Sequence, residues 1–271
     1  MTPWPVVALY AMTHCAILQE DAMAGPLTFA RSDGETIAYH AEVGQSPDIL
    51  WLGGFHSDMT GTKAQALSAW AVGHGRSFLR FDYYGHGASS GDFAQGTISR
   101  WRDDALAVLD DLTTGPQILV GSSMGGWIAT LLARARPERV AGFLLIAPAP
   151  DFTEDLVWAK MPPDIRRVVM EEGEYLHDCP PEPPCPITRR LIEDGRNNLV
   201  LHSAIAVNGP VRIVHGSADG DVPWQHGARL LDCLKGDVRF TVIQGADHRM
   251  SSPDNLRLIE STLEIMLKEF G

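Results

Sequence analysis

The sequence predicts an α/β fold, a mostly parallel central sheet with helices on both faces. Three observations carry that reading. Short apolar runs without alternation recur along the chain, as in strands covered on both faces. Segments with apolar residues at 3.6-residue spacing lie between them. An alternating pair near the start adds an antiparallel hairpin to the edge.

In order, PLTFAR (26–31) and TIAYHAE (36–42) alternate around Ser32-Asp33-Gly34-Glu35, a tight turn. ILWLG (49–53), SFLRFD (77–82), QILVG (117–121) and VAGFLLIAP (140–148) are the buried parallel strands. Ile98, Trp101, Ala105, Leu109 and Leu112 mark one helix, and Met124, Trp127, Ile128, Leu131 and Leu132 mark another. The rhythm resumes with VRIVHG (211–216), a helix near 225–235, RFTVIQG (239–245) and a last helix carrying Leu256, Ile259, Leu263, Met266 and Phe270. Residues 151–209 break it with helical pieces around DLVWAKM and IRRVVMEE, the Pro-rich CPPEPPCP and ITRRLIEDG. They read as an insertion that caps an active site. The expected organisation is one domain over 26–271 behind a disordered extension, 1–25.

Composition narrows the function classes. With 271 residues, 45% hydrophobic and 21% charged, the chain is long enough to bury a large core. A net charge of -12 has the wrong sign for phosphate backbones or anionic lipid, so neither nucleic acid nor a membrane surface is an expected partner. The apolar stretch in 1–25 is too short to span a bilayer and holds no Lys or Arg, which predicts no targeting signal and a cytoplasmic protein. Cys15, Cys179, Cys185 and Cys233 show neither CxxC nor metal-ligand spacing, so no zinc site and a reducing compartment are expected. Cys179 and Cys185 flank the Pro-rich piece and would pair only in an oxidising compartment.

Two segments match G-x-S-x-G, the turn that lifts a nucleophilic serine above the carboxyl edge of a sheet. Gly87-Ala88-Ser89-Ser90-Gly91 has loop on both sides. Gly121-Ser122-Ser123-Met124-Gly125 follows QILV directly and opens a helix, so Ser123 is the expected nucleophile. A serine needs a base, and the base needs an acid to fix its tautomer. His248, in Ala246-Asp247-His248-Arg249-Met250 after RFTVIQG, is the one histidine placed as a base. His215 sits at a strand end as a brace, and His40, His74, His177 and His202 have no motif context. Asp219, in the turn after VRIVHG, is the expected acid, with Asp221, Asp247 and Asp151 as rivals. Acyl transfer also needs two backbone N–H groups aimed at the oxyanion. Met124, after the nucleophile, and Phe55, in Gly53-Gly54-Phe55-His56, are expected to supply them, with His56 lining the site or capping the loop.

GGFHSDMTGTKA (53–64), RFDYYGHGASSG (80–91), GPQILVGSSMGGW (115–127), HGSADGDVPW (215–224) and ADHRM (246–250) together resemble the α/β-hydrolase superfamily. Within it they are similar to the branch that contains the mitochondrial palmitoyl-protein thioesterase, which also cleaves mycophenolic acid acyl-glucuronide. The resemblance implies the fold named for that superfamily, with Ser123 as nucleophile, Asp219 as acid and His248 as base. It also implies an ester or thioester substrate, an S-acylated protein among the candidates, and a mitochondrial location that the N-terminus does not support.

The expectation is therefore a serine hydrolase of carboxylic esters or acyl thioesters acting through an acyl-enzyme, with no metal or organic cofactor. A C–C bond hydrolase of ring-cleavage products would share the triad, and a non-catalytic ligand-binding member would share the fold. Ser123 excludes haloalkane and epoxide chemistry, which uses a carboxylate there. Neither G-x-G-x-x-G nor G-x-x-x-x-G-K-[ST] follows a strand.

Overall fold

β1 (Leu27–Ala30) and β2 (Thr36–Glu42) form the expected hairpin, with Leu27 opposite Tyr39 and Ala30 opposite Thr36. The computed structural model describes residues 25–178 and 184–270. The reading of 1–25 as a disordered extension falls almost wholly outside them. The other strands of the main sheet are β3 (Gln45–Leu52), β4 (Arg76–Phe81), β5 (Gln117–Ser122), β6 (Val140–Ile146), β10 (Val211–Gly216) and β12 (Val238–Ile243). They line up as β1-β2-β4-β3-β5-β6-β10-β12. β2 pairs antiparallel with β4, and every pairing from β4 to β12 is parallel. Every residue of β5 and β6 is buried, which explains why these runs carry no alternation.

Helices cover both faces. α1 (Thr62–Gly73) and α8 (Pro253–Leu267) pack Leu67, Ile259 and Leu263 against Ile49, Ile118 and Val214 on one face. α2 (Ile98–Asp111) and α3 (Met124–Ala135) pack Trp101, Val108, Trp127 and Leu132 against Leu50, Leu119 and Phe143 on the other. The predicted helix near 225–235 is two short pieces, α6 (Trp224–Ala228) and α7 (Leu230–Cys233). α1 lacks a distinct apolar stripe because alanines fill its buried face, and no periodicity announced it.

Residues 151–209 contain a π-helix (Thr153–Trp158), α4 (Pro163–Glu172), an antiparallel pair β7 (Glu174–His177) and β8 (Cys185–Thr188), α5 (Arg189–Arg196) and β9 (Ile205–Ala206). β9 pairs with β11 (Leu234–Lys235). The buried Asp151 organises its return, accepting the backbone N–H groups of Val200 (2.8 Å) and Leu201 (3.0 Å). Cys185 is disulfide-bonded, which departs from the expectation of reduced thiols. Cys179 lies outside the described residues, and Cys233 is a buried free thiol. Among the described residues no helix is long and apolar enough to cross a membrane.

Candidate active site

The G-x-S-x-G turn needs glycine for reasons visible in its packing. A Cβ on Gly121 would lie 2.5 Å from the carbonyl oxygen of Gly125, and one on Gly125 would lie 2.0 Å from that of Leu52. Only without those atoms can α3 start against the ends of β5 and β3. The turn forces Ser123 to φ 54°, ψ -117°, a conformation that a side chain makes costly. The serine is thereby lifted out of the strand above the carboxyl edge of the sheet.

Two loops from the far end of the sheet meet it. His248, in the loop after β12, places Nε2 3.0 Å from Ser123 Oγ, and its Nδ1 lies 2.7 Å from Asp219 Oδ2. Asp219, in the turn after β10, is buried. Its Oδ1 accepts the N–H groups of Asp221 (3.0 Å) and Val222 (2.7 Å), and its Oδ2 also faces His215 Nε2 at 3.0 Å. Burial alone would raise this carboxyl, but hydrogen bonds from His215 and His248 outweigh it and hold the group well below the usual carboxylate range.

The rival positions are elsewhere or otherwise engaged. Asp221 is exposed, Asp247 accepts the N–H of Met250, and Asp151 holds residues 200–201. The other G-x-S-x-G serine is a brace: Ser89 Oγ accepts the N–H of Ala38 and donates to the carbonyl of Asp82. His215 is the buried brace expected of it, its Nε2 also 2.9 Å from the Val222 carbonyl oxygen. Of the histidines without motif context, His74 closes the end of α1 through Trp70 and His40 lies on β2. Sequence reasoning passed over His226, which ties α6 to the Pro150 carbonyl.

Gly54 lies against Ser123, a Cβ there falling 3.5 Å from Ser123 Cβ, and brings the next residue, Phe55, beside it. The Phe55 N–H has no acceptor among the described residues, and the Met124 N–H, first in its helix, has none within it. The Phe55 ring is held edge-on by three others, Phe93 (5.1 Å), Trp101 (5.7 Å) and Phe152 (5.5 Å). His56 has a positive φ of 56° and packs edge-on against Phe93.

Ser123 and His248 open into a cavity of about 380 Å³ whose walls include Phe55, His56, Lys63 and Arg249. A larger cavity of about 640 Å³ lies between Gln95 and the insertion, among Glu172, Arg189 and Asp194, and contains none of these groups. Asp219, Asp221 and His248 present ligand atoms within 4.8 Å of one another, but His248 is already turned to Ser123 and Asp219.

The family profile described as serine aminopeptidase, S33, matches residues 49–176. The palmitoyl-protein thioesterase ABHD10, mitochondrial, of Pongo abelii is 36% identical over 89% of this chain and 79% of its own length. The human protein of the same name is 35% identical, with the same coverage. The chain is an α/β hydrolase of the ABHD10 family. Mouse ABHD10 superposes with a TM-score of 0.84 at 33% identity over 92% of this chain and all of that one. A crystallised protein of Agrobacterium vitis S4 also gives 0.84, at 42% identity over 89% of this chain and 97% of that one. Among the fold neighbours, Est1E of Butyrivibrio proteoclasticus shares the architecture at 22% identity and a TM-score of 0.70. This ABHD10-family chain is thus a hydrolase with the fold that its sequence predicts.

Proposed function

We propose that this chain is a serine hydrolase that cleaves carboxylic esters and acyl thioesters through an acyl-enzyme on Ser123. The observation that carries the reading is the unbroken relay from Ser123 Oγ to His248 (3.0 Å) and from His248 to Asp219 (2.7 Å). His248 Nε2 takes the serine proton as Oγ attacks the acyl carbon. Asp219, kept ionised by its hydrogen bonds, holds Nδ1–H and stabilises the imidazolium. The oxyanion is received by the N–H groups of Phe55 and Met124, the second at the positive end of α3. His248 then returns its proton to the departing alcohol or thiol, and water repeats the sequence to release the acid. No step calls for a metal or an organic cofactor.

Residues 151–209 act as a cap in this scheme, their first residues packing on the oxyanion loop through Phe152 and Phe55. Thioesters enter the reading because the relatives are named palmitoyl-protein thioesterases. S-acylated proteins are accordingly among the proposed substrates.

The test is a panel of p-nitrophenyl esters and acyl thioesters of graded chain length, run with the wild type and Ser123→Ala. Hydrolysis by the wild type, rising with pH through one ionisation to a plateau that EDTA leaves unchanged, and its loss in the variant are expected. A pure, folded protein that hydrolyses none of them between pH 5 and 9 overturns the reading.

A further inference from the structure

One wall of the Ser123 cavity is the start of α1, and it breaks the ordinary rules for a helix start. Its N-cap, Gly61, has no side chain to accept an N–H, and the first turn holds no acidic residue. In that turn stands a lysine, so the positive end of the helix dipole carries a further positive charge. Lys63 donates one hydrogen bond, to the carbonyl of Arg249, and makes no ion pair with any described residue. Burial, with the Arg249 charge beside it, pulls Lys63 down to about 8 against the opposing effect of Asp247.

A separate group on the same wall points to what is missing. Trp51 is only 3% exposed, and its indole N–H is buried without a partner. It lines the cavity together with Lys63 and Ser123. That N–H lies at the carboxyl end of β3, where a Cβ on Gly53 would fall 3.8 Å from it. Uncapped helix N–H groups, an ammonium and an orphaned indole donor therefore border one space, and although the carboxylates of Asp58 and exposed Asp221 also line it, neither forms an ion pair with Lys63. Asp58 on the same wall spends one carboxylate oxygen on the N–H and hydroxyl of its own Thr60. With Ser57 and Ser251 also lining it, this end is too polar for an acyl chain and suits the leaving group.

We infer that the start of α1, with Lys63 and Trp51, forms an anion subsite beside Ser123 that binds a carboxylate or phosphate on the leaving group of the substrate. The inference rests on the serine hydrolase reading and names a substrate class for that site. When the acyl group passes to Ser123 Oγ, the departing thiol takes its proton from His248 and remains tethered by its anion until it diffuses away.

The experiment uses thioesters of one acyl chain on four thiols: 3-mercaptopropionate and its neutral amide, and 4′-phosphopantetheine and neutral pantetheine. The readout is the ratio of kcat/KM for the anionic member of a pair to that for the neutral one, so that any general loss in a variant cancels. At least one pair should favour the anion by about tenfold in the wild type, mostly through KM, the factor expected of one desolvated charge-assisted hydrogen bond. Which pair responds distinguishes carboxylate from phosphate.

Lys63→Met should bring the ratio close to one, and Lys63→Arg should keep most of it. Thr62→Glu, which supplies the first turn with an anion of its own and favours the helix, should also abolish it. It decides the matter if Lys63→Met does not fold. A wild-type ratio of one with neutral thioesters cleaved overturns the subsite and leaves the hydrolase reading standing. A preference that survives both Lys63→Met and Thr62→Glu overturns it as well. If no ester or thioester is cleaved at all, the hydrolase reading itself has failed.

Discussion

His215 and His248 address the same carboxylate oxygen: Oδ2 of Asp219 lies 3.0 Å from His215 Nε2 and 2.7 Å from His248 Nδ1. His215 is completely buried, so it holds the Asp219 carboxylate from behind while His248 meets Ser123 in front. Asp219→Asn keeps the shape but presents the wrong group to His248, and kcat should fall by about 10⁴. His215→Phe removes one donor and should cost about ten- to a hundredfold in kcat with little change in KM. Asp221→Asn and Asp247→Asn should be mild. Steady-state kinetics decide this, and a loss at Asp221 equal to that at Asp219 would mean that the acid is misassigned.

A fluorophosphonate should modify Ser123 and no other serine, since Ser89 is committed to the Asp82 carbonyl and the Ala38 N–H. Peptide mass spectrometry after labelling reads the position directly. Label on Ser89 would remove Ser123 from the scheme.

Gly125→Ala should prevent folding or destabilise by more than about 3 kcal/mol, because its Cβ would stand 2.0 Å from the Leu52 carbonyl oxygen and neither backbone can yield cheaply. Gly220→Ala, where nothing lies within 4 Å, is the matched control and should be close to neutral. Denaturant unfolding of the two variants provides the comparison.

Asp104 gives a prediction about pH and stability. It is fully buried beside Arg100 (3.2 Å), and burial raises it to about 6 although the Tyr84 N–H and Arg100 oppose the shift. An acid whose folded value lies above its unfolded one binds more protons when folded, so its contribution to stability is lost as pH rises from about 4 to 6. Asp104→Asn should therefore gain on the wild type between pH 4 and pH 7, by roughly 3 kcal/mol for a shift of about two units. A stability difference that stays flat across that window would contradict the assignment.

Much of the architecture was legible because each cue has a local cause. The unbroken apolar runs of β5 and β6 reflect burial on both faces, and Ile98 to Leu109 keep helical spacing because one side of α2 meets the core. The meeting of Ser123, Asp219 and His248 was legible because each lies in the turn or loop that directly follows a strand, where the fold gathers side chains. What escaped had no local signal. α1 buries alanines on a weak stripe, and the β7–β8 pair joins short segments across a Pro-rich stretch. The bond from Lys63 to the Arg249 carbonyl spans 186 residues and leaves no mark in the sequence, where α1 itself goes unannounced.

The clamp on Phe55 has a consequence for how such enzymes diversify. One of its three rings, Phe152, opens the insertion, while Phe93 and Trp101 belong to the core of the fold. The insertion proposed to cap the site thus shares a joint with the loop proposed to steady the reaction's negative charge. A transplanted roof that brought no ring to position 152 would alter turnover as well as substrate choice, so the two properties are expected to evolve together.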